Sequence, residues 1–131
     1  MARILLVEDD PDVRPLLEHI LLAEGYDTTA TETVVNATAL IGQQPFDLVI
    51  TDVNLPDGSG LRVADAGIAA GLKVLVLTGH GLSLKPGTLA AYDYLLKPIR
   101  MPELLEAVRE RLSRPEGDAK IVDFPTPKRS N

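Results

Sequence analysis

Five side chains that suit a cation or a phosphoryl group stand at or just beyond the ends of four aliphatic runs. Glu8 and Asp9 follow the first run, and Asp52 comes shortly after the second. Thr78 ends the third run and Lys97 ends the last. Mg²⁺ is bound in proteins by carboxylate oxygens, and a hydroxyl and an ammonium can hold phosphoryl oxygens. The set therefore favours a magnesium site that could hold a phosphoryl group.

The elements that must position these side chains alternate along the chain. Continuous apolar runs are typical of parallel strands buried on both faces, and apolar residues three and four apart are typical of helices. Strands are predicted at residues 4–7, 27–30, 48–50, 74–77 and 94–96, and helices at residues 11–24, 33–44, 61–70 and 101–112. Five such units fit an α/β fold of the flavodoxin-like, doubly wound (βα)5 type, with a five-stranded parallel sheet in the order 2-1-3-4-5. Residues 80–91 contain two glycines and a proline, so a full helix is not expected there.

Ligands of a doubly wound sheet bind beyond the carboxyl ends of its strands, where the strand order reverses. Glu8, Asp9 and Asp52 should therefore meet in one small cavity. Like charges this close are costly unless a cation neutralises them or one carboxyl group stays protonated. A simpler interpretation is that acidic residues after a strand only cap the next helix, as Asp10 would cap a helix that begins at Pro11.

Composition excludes several classes of function. The 131 residues fit one globular domain, and the absence of cysteine excludes disulfides, thiolate metal sites and cysteine catalysis. A net charge of −6 argues against general binding to nucleic acid or to anionic membranes. No apolar run approaches the length of a membrane span, and the acidic residues near the start are unlike a signal peptide. A cytoplasmic protein is expected.

Four motifs together resemble the receiver domain of bacterial two-component response regulators. These are Ile-Leu-Leu-Val-Glu-Asp-Asp at residues 4–10, the loop DLVITDVNLPDGSG at residues 47–60, Val-Leu-Thr-Gly at residues 76–79 and Tyr-Leu-Leu-Lys-Pro at residues 94–98. The resemblance covers residues 2–113. It implies that Asp52 is the phosphorylated residue and that Mg²⁺ is held by Glu8, Asp9, Asp52 and the backbone carbonyl of Asn54.

The resemblance also implies roles for residues at the other strand ends. Lys97 would contact the phosphoryl oxygens, Thr78 would close on them, and Tyr94 would turn inward when Thr78 moves. Asn54 and His80 lie two residues beyond Asp52 and Thr78, where side chains of this family modulate dephosphorylation. The interpretation of His80 as an ordinary exposed loop residue is equally good. The chain is a few residues shorter than the family between these motifs, so the third and fourth helices should be short or irregular.

The function that the resemblance implies is a single-domain response regulator within a phosphorelay. It would take a phosphoryl group from a sensor histidine kinase or a histidine phosphotransfer protein and would contact an unidentified downstream protein, as a monomer or a phosphorylation-dependent dimer. It would catalyse only its own phosphorylation and slow dephosphorylation, so it would not be an enzyme with a separate substrate. We expect residues 1–113 to form the receiver domain and residues 114–131 a flexible tail too short for a DNA-binding module.

Two alternatives belong to other classes. A receiver-shaped interaction module that does not need phosphate would be expected to lack Asp52, Thr78 or Lys97, and all three are present. A magnesium-dependent phosphatase with an aspartyl nucleophile would need a second acid two residues after the nucleophile to act as general acid. That position is Asn54 here, which argues against the phosphatase.

Overall fold

A five-stranded parallel sheet carries the site residues, in a computed structural model that describes residues 2–79 and 92–113. In chain order the elements are β1 (Arg3–Val7), α1 (Val13–Ala23), β2 (Asp27–Thr31), α2 (Val34–Gln43), β3 (Leu48–Asp52), β4 (Asn54–Leu55), β5 (Gly58–Ser59), α3 (Gly60–Ala69), β6 (Lys73–Thr78), β7 (Tyr94–Leu96) and α4 (Met101–Ser113). The sheet order is β2-β1-β3-β6-β7, and every neighbouring pair is parallel. The predicted doubly wound order is therefore confirmed.

The central strands are buried on both faces, which explains their unbroken aliphatic sequences. Alternate residues of β1 enter different cores because successive strand side chains point to opposite faces. Ile4 and Leu6 belong to the core formed with α1 and α4, whereas Leu5 and Val7 belong to the core formed with α2 and α3. Both layers therefore fix the register of β1, and with it the place where Glu8 leaves the strand.

The first helix begins two residues later than the sequence predicted. Pro11 lies in a turn and α1 starts at Val13, because Oδ1 of Asp10 accepts hydrogen bonds from the backbone N–H groups of Asp12, at 2.8 Å, and Val13, at 3.2 Å. Such an aspartate turn competes with helix at this point. Pro15 then lies in the first turn of α1, the part of a helix in which a proline is tolerated.

A short antiparallel hairpin between β3 and α3 was not predicted from the sequence. Its strands are β4 and β5, and Asp57 lies in the turn that joins them. The carboxylate of Asp57 accepts hydrogen bonds from the backbone N–H groups of Val34, at 2.7 Å, and Val35, at 3.0 Å. The loop after β3 is thereby fastened to the amino end of α2, whose own cap, Thr33, accepts from the N–H of Asn36.

The segment before β7 is held by both helical layers. The hydroxyl of Tyr92 donates to Oδ1 of Asp65 in α3 at 2.7 Å, and Asp93 forms an ion pair with the buried Arg111 of α4. The carbonyl of Asp93 accepts from the N–H of Val76 at 2.8 Å. These contacts fix the entry of the edge strand that leads to the predicted phosphate-binding lysine.

The ten-residue α3 agrees with the expectation of a short third helix, and its bounds lie one residue before those predicted. The expectation for residues 80–91 lies outside the described residues. None of the helices in the described ranges has the length and apolar character needed to cross a bilayer.

Candidate functional site

The carboxyl ends of β1, β3 and β7 bring an ammonium and two buried carboxylates together. Nζ of Lys97 lies 2.7 Å from Oδ1 of Asp52 and 3.2 Å from Oε1 of Glu8. Glu8 has no exposed surface and Asp52 is 4% exposed. The ammonium of Lys97 therefore bridges two carboxylates at the ends of different strands, β1 and β3.

Backbone and side-chain hydrogen bonds hold Glu8 in place. Its N–H donates to the carbonyl of Thr31 at 3.0 Å, which extends the pairing between β1 and β2 by one residue. Its Oε2 accepts from the N–H of Asp10 at 3.1 Å, while its Oε1 faces Lys97. Both carboxylate oxygens of Glu8 therefore have partners, which allows the charge to be buried.

The peptide that follows Asp52 is held as firmly. The hydroxyl of Thr51 donates to the carbonyl of Asp52 at 2.9 Å, and the N–H of Val53 donates to the carbonyl of Leu77 at 3.0 Å. Gly60 packs against the same carbonyl, and a Cβ atom at residue 60 would lie 1.6 Å from that oxygen. This contact explains why a glycine opens α3.

Glu8, Asp9 and Asp52 form a group that fits a metal ion. One carboxylate oxygen from each residue lies within 4.8 Å of the others. The donors are all hard oxygens, which suit Mg²⁺, and the exposed position of Asp9 leaves room for the waters that Mg²⁺ retains. The residues present therefore fit the magnesium ion that the sequence predicted.

The crowded carboxylates change proton affinities in the site. Burial raises the pKa of Asp52 to about 7, with a further upward contribution from its hydrogen bond to Glu8, and Lys97 opposes this rise. Burial alone lowers the pKa of Lys97, but the hydrogen bond and the charge of Asp52, together with Glu8, outweigh burial and leave that pKa raised. The site therefore holds more negative charge than its lysine neutralises, as expected where a cation binds.

The remaining predicted residues lie around this centre at different distances from solvent. Thr78 is buried at the end of β6, and its carbonyl accepts from the N–H of Lys97 at 2.7 Å. Asn54 is exposed at the start of β4, two residues after Asp52, and Tyr94 is 41% exposed in β7. The side chain of Tyr94 thus faces outward here. His80 lies outside the described residues.

Sequence reasoning did not find Arg14, which contacts the acidic turn after β1. Its Nη1 donates to the carbonyl of Glu8 at 3.1 Å and forms an ion pair with Oε1 of Glu32 at 3.0 Å. Its only signal in the sequence is its place one helical turn after Asp10, which brings it back toward the end of β1. That signal does not separate it from an ordinary exposed arginine.

The family of response regulator receiver domains matches residues 4–109. The chain belongs to this family. The receiver domain is 37% identical to the response regulator protein PilR of Pseudomonas aeruginosa over 92% of the chain, and 36% identical to the two-component response regulator ORR24 of Oryza sativa over 90%. It spans 29% and 20% of the lengths of these two relatives.

Solved structures agree with this assignment and with the flavodoxin-like fold. The response regulator TrrA of Thermotoga maritima in complex with Mg²⁺ and BeF is 33% identical, with a TM-score of 0.77 over 86% of this receiver domain's chain and 100% of TrrA. The receiver domain of the histidine kinase PA1611 of Pseudomonas aeruginosa, with a magnesium ion in its active-site cleft, is 26% identical, with a TM-score of 0.76 over 86% and 98% of the two chains. The predicted family and fold are therefore confirmed.

A third solved structure includes a partner. It contains the histidine kinase ThkA in complex with TrrA, and it matches at 34% identity with a TM-score of 0.75 over 86% of this chain and 99% of that one. A receiver domain similar to this one thus assembles with a histidine kinase.

Proposed function

We propose that this receiver domain accepts a phosphoryl group on Asp52, in a magnesium-dependent reaction, from the phosphohistidine of a sensor kinase or of a histidine phosphotransfer protein. The observation that carries the proposal is the contact of Lys97 with both Asp52 and Glu8, because it brings a carboxylate nucleophile beside a cation that can receive phosphoryl oxygens. The histidine kinase bound to TrrA supports the class of partner.

The transfer needs little covalent assistance from the protein. An Oδ atom of ionised Asp52 forms a bond to phosphorus while the bond from phosphorus to the histidine nitrogen breaks, and that nitrogen keeps the electron pair. The transition state is loose and highly charged, so positioning and charge neutralisation supply most of the catalysis. Lys97 would receive one phosphoryl oxygen as it separates from Asp52.

Mg²⁺ bound by Glu8, Asp9, Asp52 and the carbonyl of Asn54 would neutralise phosphoryl charge. The product is an acyl phosphate, which water hydrolyses slowly, and the side chains of Asn54 and His80 would set the access of that water. The chain would act on itself and would have no separate substrate to turn over.

The phosphorylated state would be read through Thr78 and Tyr94. The buried hydroxyl of Thr78 would move to the new phosphoryl oxygens, and the exposed ring of Tyr94 would turn inward into the space that Thr78 leaves. The signal would then pass to a downstream protein, through a monomer or a dimer. We assign this role to residues 1–113 and regard residues 114–131 as a separate tail.

Intact mass spectrometry after incubation with phosphoramidate tests the proposal. This donor offers the same phosphorus–nitrogen bond as a phosphohistidine. We expect a gain of one phosphoryl group with Mg²⁺, and none with EDTA or in Asp52→Asn. Asp47→Asn is the matched control, because Asp47 precedes the same strand at its opposite end. The Asp47→Asn protein should gain one phosphoryl group, as the unaltered protein does.

Two results would contradict the proposal. Phosphorylation of the Asp52→Asn protein would show that another residue is the acceptor. A folded protein that gains no phosphoryl group with Mg²⁺ would instead favour the interaction module that does not need phosphate.

A further inference from the structure

One side chain from the first helix donates to the backbone of the acidic turn, residues 8–10. β1 ends at Val7, so the carbonyls of residues 8–10 lie beyond the strand. Arg14 donates to all three: Nη1 lies 3.1 Å from the carbonyl of Glu8 and 3.5 Å from that of Asp9, and the N–H of Arg14 lies 2.9 Å from the carbonyl of Asp10. The side chain of Arg14 therefore contacts the carbonyls of Glu8 and Asp9, whereas the contact with Asp10 is a backbone hydrogen bond of the helical type.

Arg14 is itself held from the other side of the turn. Its Nη1 lies 3.0 Å from Oε1 of Glu32, which directly follows β2. The preceding residue, Thr31, provides the carbonyl that accepts from the N–H of Glu8. The end of β2 thus contacts the acidic turn twice, once through the backbone and once through the pair of Glu32 with Arg14.

This ion pair is too exposed to contribute much to folding. The side chains of Arg14 and Glu32 are 25% and 54% exposed, and pairs of this kind add little to the free energy of unfolding. The side chain of Arg14 adds little to stability but contacts the backbone that carries two candidate metal ligands. Its main effect is therefore on the placement of those ligands.

We propose that Arg14, held by Glu32, is a positioning residue of the magnesium site, which it serves by fixing the Glu8–Asp9 turn through its backbone carbonyls. The inference rests on the proposed function, because it takes Glu8 and Asp9 as metal ligands. Among the described residues, Arg14 forms its ion pair with Glu32, outside the group of Glu8, Asp9 and Asp52, and it contacts Glu8 and Asp9 through their backbone carbonyls.

The positive charge of Arg14 and its positioning role predict opposite effects on Mg²⁺ binding. Arg14 is a cation near a cation site, so its charge alone opposes Mg²⁺. If charge were its only influence, removal of the guanidinium would strengthen Mg²⁺ binding. If Arg14 positions the turn, removal frees the carbonyls of Glu8 and Asp9 and weakens binding.

Calorimetric titration of the full chain with MgCl₂, below the unfolding temperature of every variant, distinguishes the effect of charge from the effect of positioning. We expect Arg14→Met to weaken Mg²⁺ binding about tenfold, the loss typical when a group that orients a metal ligand is removed. Arg14→Lys should restore most of the affinity, because a single nitrogen of Arg14 makes the side-chain contacts and a lysine ammonium has three donors. Glu32→Gln should weaken binding less, and Arg14→Met with Glu32→Gln should bind no more weakly than Arg14→Met alone.

Arg3→Met is the matched control, because Arg3 also forms an ion pair with a carboxylate, that of Asp27 at 3.3 Å, but at the opposite end of β1. Its Mg²⁺ affinity should stay unchanged even where its unfolding temperature falls. Unchanged or stronger binding in Arg14→Met would overturn the inference and leave the proposed function intact. Failure of the unaltered protein to bind Mg²⁺ would overturn the magnesium site and the inference together.

Discussion

Gly60 lies against the backbone carbonyl of Asp52 with no room for a side chain between them. A Cβ atom at residue 60 would come within 1.6 Å of that oxygen, and the N–H of Gly60 donates to the carbonyl of Val53 at 2.6 Å. The first residue of α3 is therefore packed on the peptide that follows the proposed phosphoacceptor. Any displacement of this helix end moves the backbone of Asp52.

We expect Gly60→Ala to lower both stability and phosphorylation. The added methyl group meets backbone, which cannot rotate away, so the free energy of unfolding should fall by about 2 kcal/mol or more. Urea unfolding followed by circular dichroism measures this loss. Gly42→Ala, in α2 with open space around it, is the control and should be neutral or slightly stabilising. Normal phosphorylation of a folded Gly60→Ala protein would show that this contact does not position Asp52.

Asp57 should stabilise the fold in a pH-dependent way. The backbone N–H groups of Val34 and Val35 hold the pKa of this carboxyl below its ordinary value of 3.8. Because the pKa is lowered in the folded state, the stabilisation is present above the unfolded pKa and is lost as the pH falls through the folded one. Asp57→Ala should therefore lower the unfolding temperature by a few degrees at neutral pH, and the difference should vanish in strong acid.

The control for that thermal series is Asp12→Ala. Asp12 occupies the cap position of α1 but makes no side-chain capping hydrogen bond, so its removal should have little effect at any pH. Equal effects of the two substitutions would contradict a specific contact between the hairpin and α2.

In the absence of divalent ions, the contribution of Asp52 to stability should have the opposite pH dependence to that of Asp57. Its pKa is raised to about 7, so the folded state binds its proton more tightly than the unfolded state does. Stability from this group is then greatest below the unfolded pKa and is lost as the pH rises toward the folded one. With EDTA, Asp52→Asn should stabilise the protein at about pH 8 and have little effect near about pH 4.5. Thermal unfolding across this range, with Asp12→Asn beside it, checks the sign.

Lys97→Met should separate metal binding from phosphoryl transfer. The ammonium occupies Oδ1 of Asp52 and Oε1 of Glu8, so its removal should strengthen Mg²⁺ binding several-fold and lower the unfolding temperature of the metal-free protein. Phosphorylation should nonetheless slow about a hundredfold, because a group placed to receive transition-state charge is lost. Titration calorimetry and a time course of intact mass give the two readouts.

Lys73→Met serves as the control for Lys97→Met, because Lys73 begins β6 and lies at the amino ends of the strands, away from the site. Both properties should stay at the level of the unaltered protein. Weaker Mg²⁺ binding in Lys97→Met would contradict competition between the ammonium and the metal for the same oxygens.

The sequence was sufficient for the sheet because burial on both faces leaves a direct trace in the residues. The aliphatic runs at β1, β3 and β6 predict buried parallel strands, and the observed strand order confirms this sheet. The family match confirms the predicted family, while the chemistry at the strand ends stays a prediction. Element ends were less accurate: the turn at Asp10 delays α1 to Val13, since a local side-chain hydrogen bond competes with the helical start.

The contacts that the sequence did not reveal are those between distant segments. Asp57 caps α2 from 22 and 23 residues away, and no local pattern announces an acceptor that comes from another loop. Arg14 has the spacing of any exposed helical residue, and its partners were identifiable only once β2 and the acidic turn lay side by side. No feature of the sequence distinguishes Gly60 from Gly58 in the same loop, because the carbonyl of Asp52 that lies against Gly60 belongs to the preceding strand.

Lys97 reaches Asp52 across an intervening strand, since β6 lies between β3 and β7. Neighbouring strands are about 4.8 Å apart, so the cleft between these two residues spans about 10 Å of backbone and is partly filled by the lysine itself. On the proposed function, a cleft of this width would contact the phosphoryl group and its metal ion. Discrimination between phosphodonor proteins would then depend on surfaces outside the cleft.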